Sequence, residues 1–195
     1  MAAVDKGDAA QFSRDEILHP NGWPLLNFLM DARTGLGRFR EFRISNYQLM
    51  MKLIDACREK TIEEILKMPD IAERVVLYRQ YESQAVDQLS RCATVHNNVV
   101  LINLQNEDTI WPTNRFTVYA LFSDCNVSIH RMWGLIQQNT VFAIGKSILD
   151  RSSQANVGAI CLEYGGGGHE AAGTCQVDNE QADQIETELI NRLQD

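Results

Sequence analysis

Tyr164-Gly165-Gly166-Gly167-Gly168-His169-Glu170-Ala171-Ala172-Gly173 is the stretch from which the rest of this chain is read. Without side chains, the consecutive glycines let the backbone take positive φ and lie directly against a ligand. Successive N–H groups in such a turn converge into a concave nest for an anion. His169 adds a donor, or a positive charge, beside it. The bland alternative is a flexible, glycine-rich loop. Linkers, however, run Gly/Ser over longer lengths and seldom separate a helical pattern from a strand pattern. Here Asn156 caps a helix expected through Leu162, and residues 172–177 alternate as a strand. A helix–glycine–strand succession belongs to a chain that mixes the two structures.

Moving outward, residues 99–104, 127–133 and 140–145 also read as strands, the last apolar throughout as a central strand should be. Residues 114–122 read as a short helix capped at Asn114. Ala182, Ile185, Leu189, Ile190 and Leu193 mark one face of a closing helix. This alternation gives the fold class: α/β (α+β), a mixed β-sheet with flanking helices. The sheet is preceded by a helical N-terminal segment. Leu25 begins an apolar helical run, and Leu49, Met50, Leu53, Ile54 and Cys57 recur at helical spacing. Thr61-Ile62-Glu63-Glu64 is a capping box, closed off by Pro69. Asp70-Ile71-Ala72-Glu73 reads as a second box, opening a helix of about twenty residues over 70–92 that would connect two parts. The expected division is 1–93, helical, and 94–195, the sheet domain.

Composition bounds the function classes. With 195 residues and a formal charge of −8, the chain does not have the broad basic surface of a non-specific DNA coat. A short phosphorylated ligand in a local pocket remains open. No run approaches the roughly 18 apolar residues of a membrane span, and no signal-type apolar region follows Met1. A cytoplasmic address without membrane attachment is expected. Cys57, Cys92, Cys125, Cys161 and Cys175 form no C-x-x-C pair, so free thiols fit better than structural zinc or disulfides.

Gly165 to Gly173 resembles the glycine-rich signature of the C-terminal, DHH-associated domain of the DHH phosphoesterases. That family includes exopolyphosphatases, nano-RNases and phosphatases of adenosine bisphosphate; the exopolyphosphatase-like and nano-RNase-like members are the nearest in pattern. The element Arg151-Ser152, upstream of the glycines, is similar to the family's Arg–Ser pair, whose arginine grips a substrate phosphate. The resemblance thus implies a phosphate-binding set of Arg151, Ser152, Gly165, Gly166, Gly167, Gly168 and His169. An arginine fork, a histidine and backbone N–H groups converging on one phosphate would neutralise it. Asn139 and Lys146 flank the same strand as weaker candidates.

The family's hydrolysis depends on divalent metal, usually manganese, that activates a water. The ions are held by Asp-His-His and His-x-Asp-x-Asp motifs, and none of the four histidines here stands in either. Asp5, with Asp8 behind it, is the candidate for one late metal-ligating aspartate. The resemblance implies the substrate-binding C-terminal part of a phosphoesterase, whose metal domain is truncated, separately encoded or lost. Its ligands would be short RNA, a nucleotide or polyphosphate, and the long helix could serve a homodimer. The competing function is a non-catalytic nucleotide- or oligonucleotide-binding module. His130 reads as a half-buried strand residue. Trp111 and Trp133 read as base-stacking candidates or as core anchors. Arg33, Arg38, Arg40 and Arg43 suit phosphate, or the chain's own carboxylates.

Overall fold

The structure, a computed structural model, describes residues 2–194 and the side chains of residues 5–194. The chain divides into two compact units. One comprises residues up to Asp87 together with Trp111–Thr117; the other comprises Gln88–Ile110 and Val118 onward.

Helices α1 (Ala2–Asp8), α2 (Arg14–Leu18), α3 (Gly22–Met30), α4 (Asn46–Glu59) and α5 (Ile62–Leu66) belong to the first unit, as does most of α6 (Pro69–Arg91). Their starts are local chemistry. Ser13, Ser45 and Thr61 each accept from the N–H three residues on, and Glu16, Gln48 and Glu64 return the bond to the cap's own N–H. Such reciprocal capping satisfies two otherwise orphaned donors. The box expected at Asp70–Glu73 does not cap. The helix already starts at Pro69, whose missing N–H costs nothing in a first turn, and the Asp70 carboxylate instead accepts from Lys52 at 2.8 Å. Leu25, Leu26, Leu29, Leu49, Leu53, Ile65, Ile71 and Tyr78 fill the core, each large aliphatic contributing about 1.5–3 kcal/mol by burial.

Two arginines of the arginine-dense segment pair with this unit's own carboxylates. Arg33 holds Asp31 at 2.8 Å, and Arg40 lies 3.3 Å from Glu73. Nearby, the buried Arg74 donates to the Asp70 and Ile44 carbonyls. Trp111 is a packing residue too, with ring centroids 4.9 Å from Tyr81 and 5.6 Å from Phe39. Asn114 anchors its segment by donating to the Ile17 carbonyl and the Tyr78 hydroxyl. The helix expected over 114–122 is confined to α7 (Thr117–Leu121).

The second unit is built on six strands: β1 (Ala93–His96), β2 (Val99–Asn103), β3 (Val127–Trp133), β4 (Thr140–Lys146), β5 (Gly167–His169) and β6 (Ala172–Val177), in the order β1-β2-β3-β4-β6-β5. Only β2 and β3 run parallel, so the sheet is mixed, as expected. Val99 and Leu101, Val127 and Ile129, Phe142 and Ile144, and Cys175 and Val177 share one core. Their period of two puts them on one face. Against it lie α8 (Val157–Glu163) and α9 (Ala182–Leu193), through Ile160, Cys161, Leu189 and Leu193. Val95 and Thr94 are exposed on β1, whose polar, short run hides it in the sequence. No helix among the described residues is long and apolar enough to cross a membrane.

His130 is a partly buried strand residue paired with Ala143. Burial pushes its imidazole down from 6.5 to about 4, because charging it there costs solvation. The unfolded chain therefore binds a proton between those values that the folded chain refuses. Stability from this group is complete above pH 6.5 and is lost as pH falls towards 4, by at most about 3 kcal/mol. Glu107, held down to about 2 by Arg91 and then Gln88, loses its contribution only at lower pH. Urea midpoints should thus fall between pH 7 and 4 in wild type and fall less in His130→Gln. Parallel curves would exclude His130 as the cause.

Candidate phosphate-binding site

Strand β4 ends at Lys146, and residues 147–156 cross over to α8. This crossing is held by its own polar groups. Ser147 Oγ accepts from the N–H groups of Leu149 and Asp150, both at 3.1 Å. Asp150 Oδ1 accepts from Ser152 N at 3.0 Å. Arg151 is exposed at the crest, its Nε donating to the Ile148 carbonyl at 3.2 Å. Ser152 is exposed as well, but its Oγ accepts from the buried amide of Asn126 at 2.9 Å. Asn156 closes the crossing as the cap of α8, accepting from Ala159 N.

Beyond α8 the glycines do not form the expected loop. Gly165 N donates to the Leu162 carbonyl at 3.1 Å, and Gly166 N to that of Cys161 at 2.9 Å. With Gly165 left-handed at φ 74°, this is a Schellman helix end. Those two N–H groups are therefore spent on the helix and take no part in a nest. Gly167–His169 then runs as β5, the outermost strand, against β6: Gly167 faces Thr174, Gly168 faces Gly173 and His169 faces Ala172. An edge strand directs alternate backbone groups away from its one neighbour. β5 therefore presents an open backbone edge on the side away from β6.

The glycines have different reasons. A Cβ on Gly166 would lie 2.1 Å from the Thr174 carbonyl oxygen, and one on Gly168 2.2 Å from that of Ala172. Packing against β6 excludes both. Gly165 needs its left-handed φ. At Gly167 there is no positive φ, and a Cβ would meet nothing within 4 Å.

The Arg151–Ser152 crossing and the glycine hairpin attach to one end of the sheet. In the hairpin turn, the Glu170 carbonyl accepts from Val157 N at 3.0 Å and the Ala171 carbonyl from Lys146 N at 2.9 Å. The Lys146 ammonium donates to the Ala155 carbonyl and stands 3.6 Å from Glu170 Oε1. Both ends of the crossing are thus stitched to the hairpin turn. Lys146, one of the weaker sequence candidates, joins this end as a tether. Asn139, the other, sits at the opposite end of β4 and donates to Gln176; a seven-residue strand separates the two by about 20 Å. Trp133 donates its indole N–H to the Gln105 carbonyl. Asn126 and Gly158 are the contributors that sequence reasoning missed. Neither lies in a periodic or spaced motif that would single it out.

Asp5 is exposed on α1. Among the described residues no group of three or more His, Cys, Asp or Glu side chains could hold an ion. Asp5 alone does not make a manganese centre.

No protein-family model matches this chain, and no curated protein does. Among solved structures, a pGpG-specific phosphodiesterase, PggH from Vibrio cholerae, matches 99% of this chain at 58% identity and a TM-score of 0.90. An exopolyphosphatase-related protein from Bacteroides fragilis aligns over 96% of this chain and 53% of its own, at 14% identity and a TM-score of 0.49. The Arg–Ser crossing and glycine hairpin on one mixed sheet, together with that identity to a phosphodiesterase, are consistent with the C-terminal domain of a DHH-family phosphoesterase. The chain spans 65% of the length of the Vibrio protein.

Proposed function

We propose that this chain is the substrate-binding part of a DHH-family phosphodiesterase that acts on short oligoribonucleotides. The terminal phosphate of the substrate is held between Arg151–Ser152 and the Gly167–His169 rim. The open space over Gly167 carries this reading: it is the one member of the glycine run that neither packing nor a positive φ requires. A ligand approaching the backbone there is a physical reason for its lack of a side chain. The arginine supplies a charged fork, His169 a ring N–H, and the strand edge main-chain donors, all suited to phosphate oxygens. The activity named for the Vibrio relative supports a pGpG-like ligand. Hydrolysis in this reading draws on a divalent ion, manganese in the family, held by residues other than the described ones.

Removing a charge-assisted hydrogen bond costs about 1.5–3 kcal/mol, so Arg151→Ala should weaken pGpG binding roughly ten- to a hundredfold. Arg151 is exposed, and its thermal midpoint should stay within about 2 °C of wild type. Titration calorimetry of both proteins with pGpG, and with tripolyphosphate as competitor, tests this. Equal affinity of wild type and Arg151→Ala removes the site. Tripolyphosphate binding with no binding of pGpG removes the oligonucleotide.

A further inference from the structure

Behind Ser152 lies a chain of side-chain amides that fixes the direction of its hydroxyl. Asn126 immediately precedes β3 and is 4% exposed. Its main chain is pinned on both sides: its N–H donates to the Asn98 carbonyl at 2.9 Å, and its carbonyl accepts from Ser147 N at 2.7 Å. Its Oδ1 accepts from Asn98 Nδ2 at 2.7 Å, and its Nδ2 donates to Ser152 Oγ at 2.9 Å. Asn98 Nδ2 also donates to the main-chain carbonyl of Leu193, at 3.2 Å, near the end of α9.

The order of these bonds has chemical content. Either end of a carboxamide can face a partner, one end donating and the other accepting. A main-chain carbonyl can only accept, so Leu193 requires the NH2 end of Asn98. That NH2 group requires the oxygen end of Asn126, which turns the Asn126 NH2 towards Ser152. Ser152 Oγ must then accept from the protein, and its single hydrogen is left to donate outwards. We infer that the Leu193–Asn98–Asn126 relay is a positioning device that sets Ser152 as a hydrogen-bond donor to a phosphate oxygen. Asn126 and Asn98 act through Ser152 and do not themselves touch the ligand.

This inference rests on the phosphate site proposed above, and its test separates the two. Asn126→Asp is nearly isosteric but can only accept, so the Ser152 hydrogen turns inwards. Ser152→Ala should weaken binding of pGpG to the full chain about tenfold in the wild-type background, the scale of one hydrogen bond to a charged group. In the Asn126→Asp background the same change should cost less than about twofold. A general repulsion of the phosphate by the new carboxylate lowers both affinities in that background equally, and so cancels from the comparison. Asn98→Asp reverses the relay from its far end, because the Asn126 amide must then turn its NH2 towards position 98. It makes the same prediction should Asn126→Asp fail to fold by circular dichroism. Ser152→Thr, which keeps the hydroxyl, should retain most of the wild-type affinity. An equal cost of Ser152→Ala in the wild-type and relay-reversed backgrounds overturns the inference, as does no cost in wild type while Arg151→Ala still weakens binding. If Arg151→Ala binds as wild type, it is the site itself that fails.

Discussion

Gly167→Val is expected to bind pGpG at least about a hundredfold more weakly than wild type while keeping the wild-type thermal midpoint. The two halves of this result have separate causes. The fold tolerates the change because a Cβ at position 167 meets nothing within 4 Å and the backbone there is not left-handed. β-Branched residues also suit a strand. Binding does not tolerate it if a phosphate must approach the main chain of β5, because the isopropyl group occupies the space through which it comes. Two hydrogen bonds lost on an anion, at about 1.5–3 kcal/mol each, amount to a hundredfold or more. Calorimetric titration alongside thermal melts reads both quantities. Unchanged affinity in a folded protein would mean that the rim of β5 is merely a sheet edge, and the proposed site would lose its main support.

The second large effect lies in the helix behind the hairpin. Gly158 is buried within α8, and a Cβ there would stand 2.8 Å from the carbonyl carbon and oxygen of Gly168 and 2.9 Å from the carbonyl oxygen of His169. Glycine to alanine inside a helix ordinarily stabilises by about 0.8–1 kcal/mol. Here the neighbours are backbone atoms of a strand tied to β6 on its other side, so they cannot swing away as a side chain would. Overpacking of this kind costs about 1–3 kcal/mol, which outweighs the propensity gain. Gly158→Ala should therefore destabilise, and Gly158→Val should do so by about 3 kcal/mol or more and also displace β5. Gly37, with open space around it and no positive φ, supplies the control, since Gly37→Ala should be close to neutral. Chemical unfolding of the three variants distinguishes the outcomes. A stabilised Gly158→Ala would show that the hairpin does not rest on α8.

Where structure follows from neighbours in the chain, the sequence was legible. The box at Thr61–Glu64 sets a helix start through bonds made within four residues. The cap at Asn156 and the apolar face of α9 likewise depend on local geometry and a single period. Strands β2, β3, β4 and β6 announced themselves by β-branched and apolar residues, and with them the mixed sheet and its helices. The motif pair Arg151-Ser152 and Gly165–His169 carries the resemblance to the DHH phosphoesterases.

Other features depend on partners distant in sequence. Asp70 looked like a cap, but Lys52, eighteen residues earlier, takes its carboxylate. Residues 111–117 read as part of the sheet domain, yet Trp111 and Asn114 pack with Tyr81, Tyr78 and Ile17. Strand β5 has no apolar pattern, because glycines carry none; it is a strand only because β6 lies beside it. The sequence by itself determined that glycine stands at 165 to 168, since local conformational freedom is a property of the residue. Only the tertiary structure decided that Gly165 ends a helix, that Gly166 and Gly168 make room for β6, and that Gly167 faces open space, because each reason is the position of atoms far along the chain.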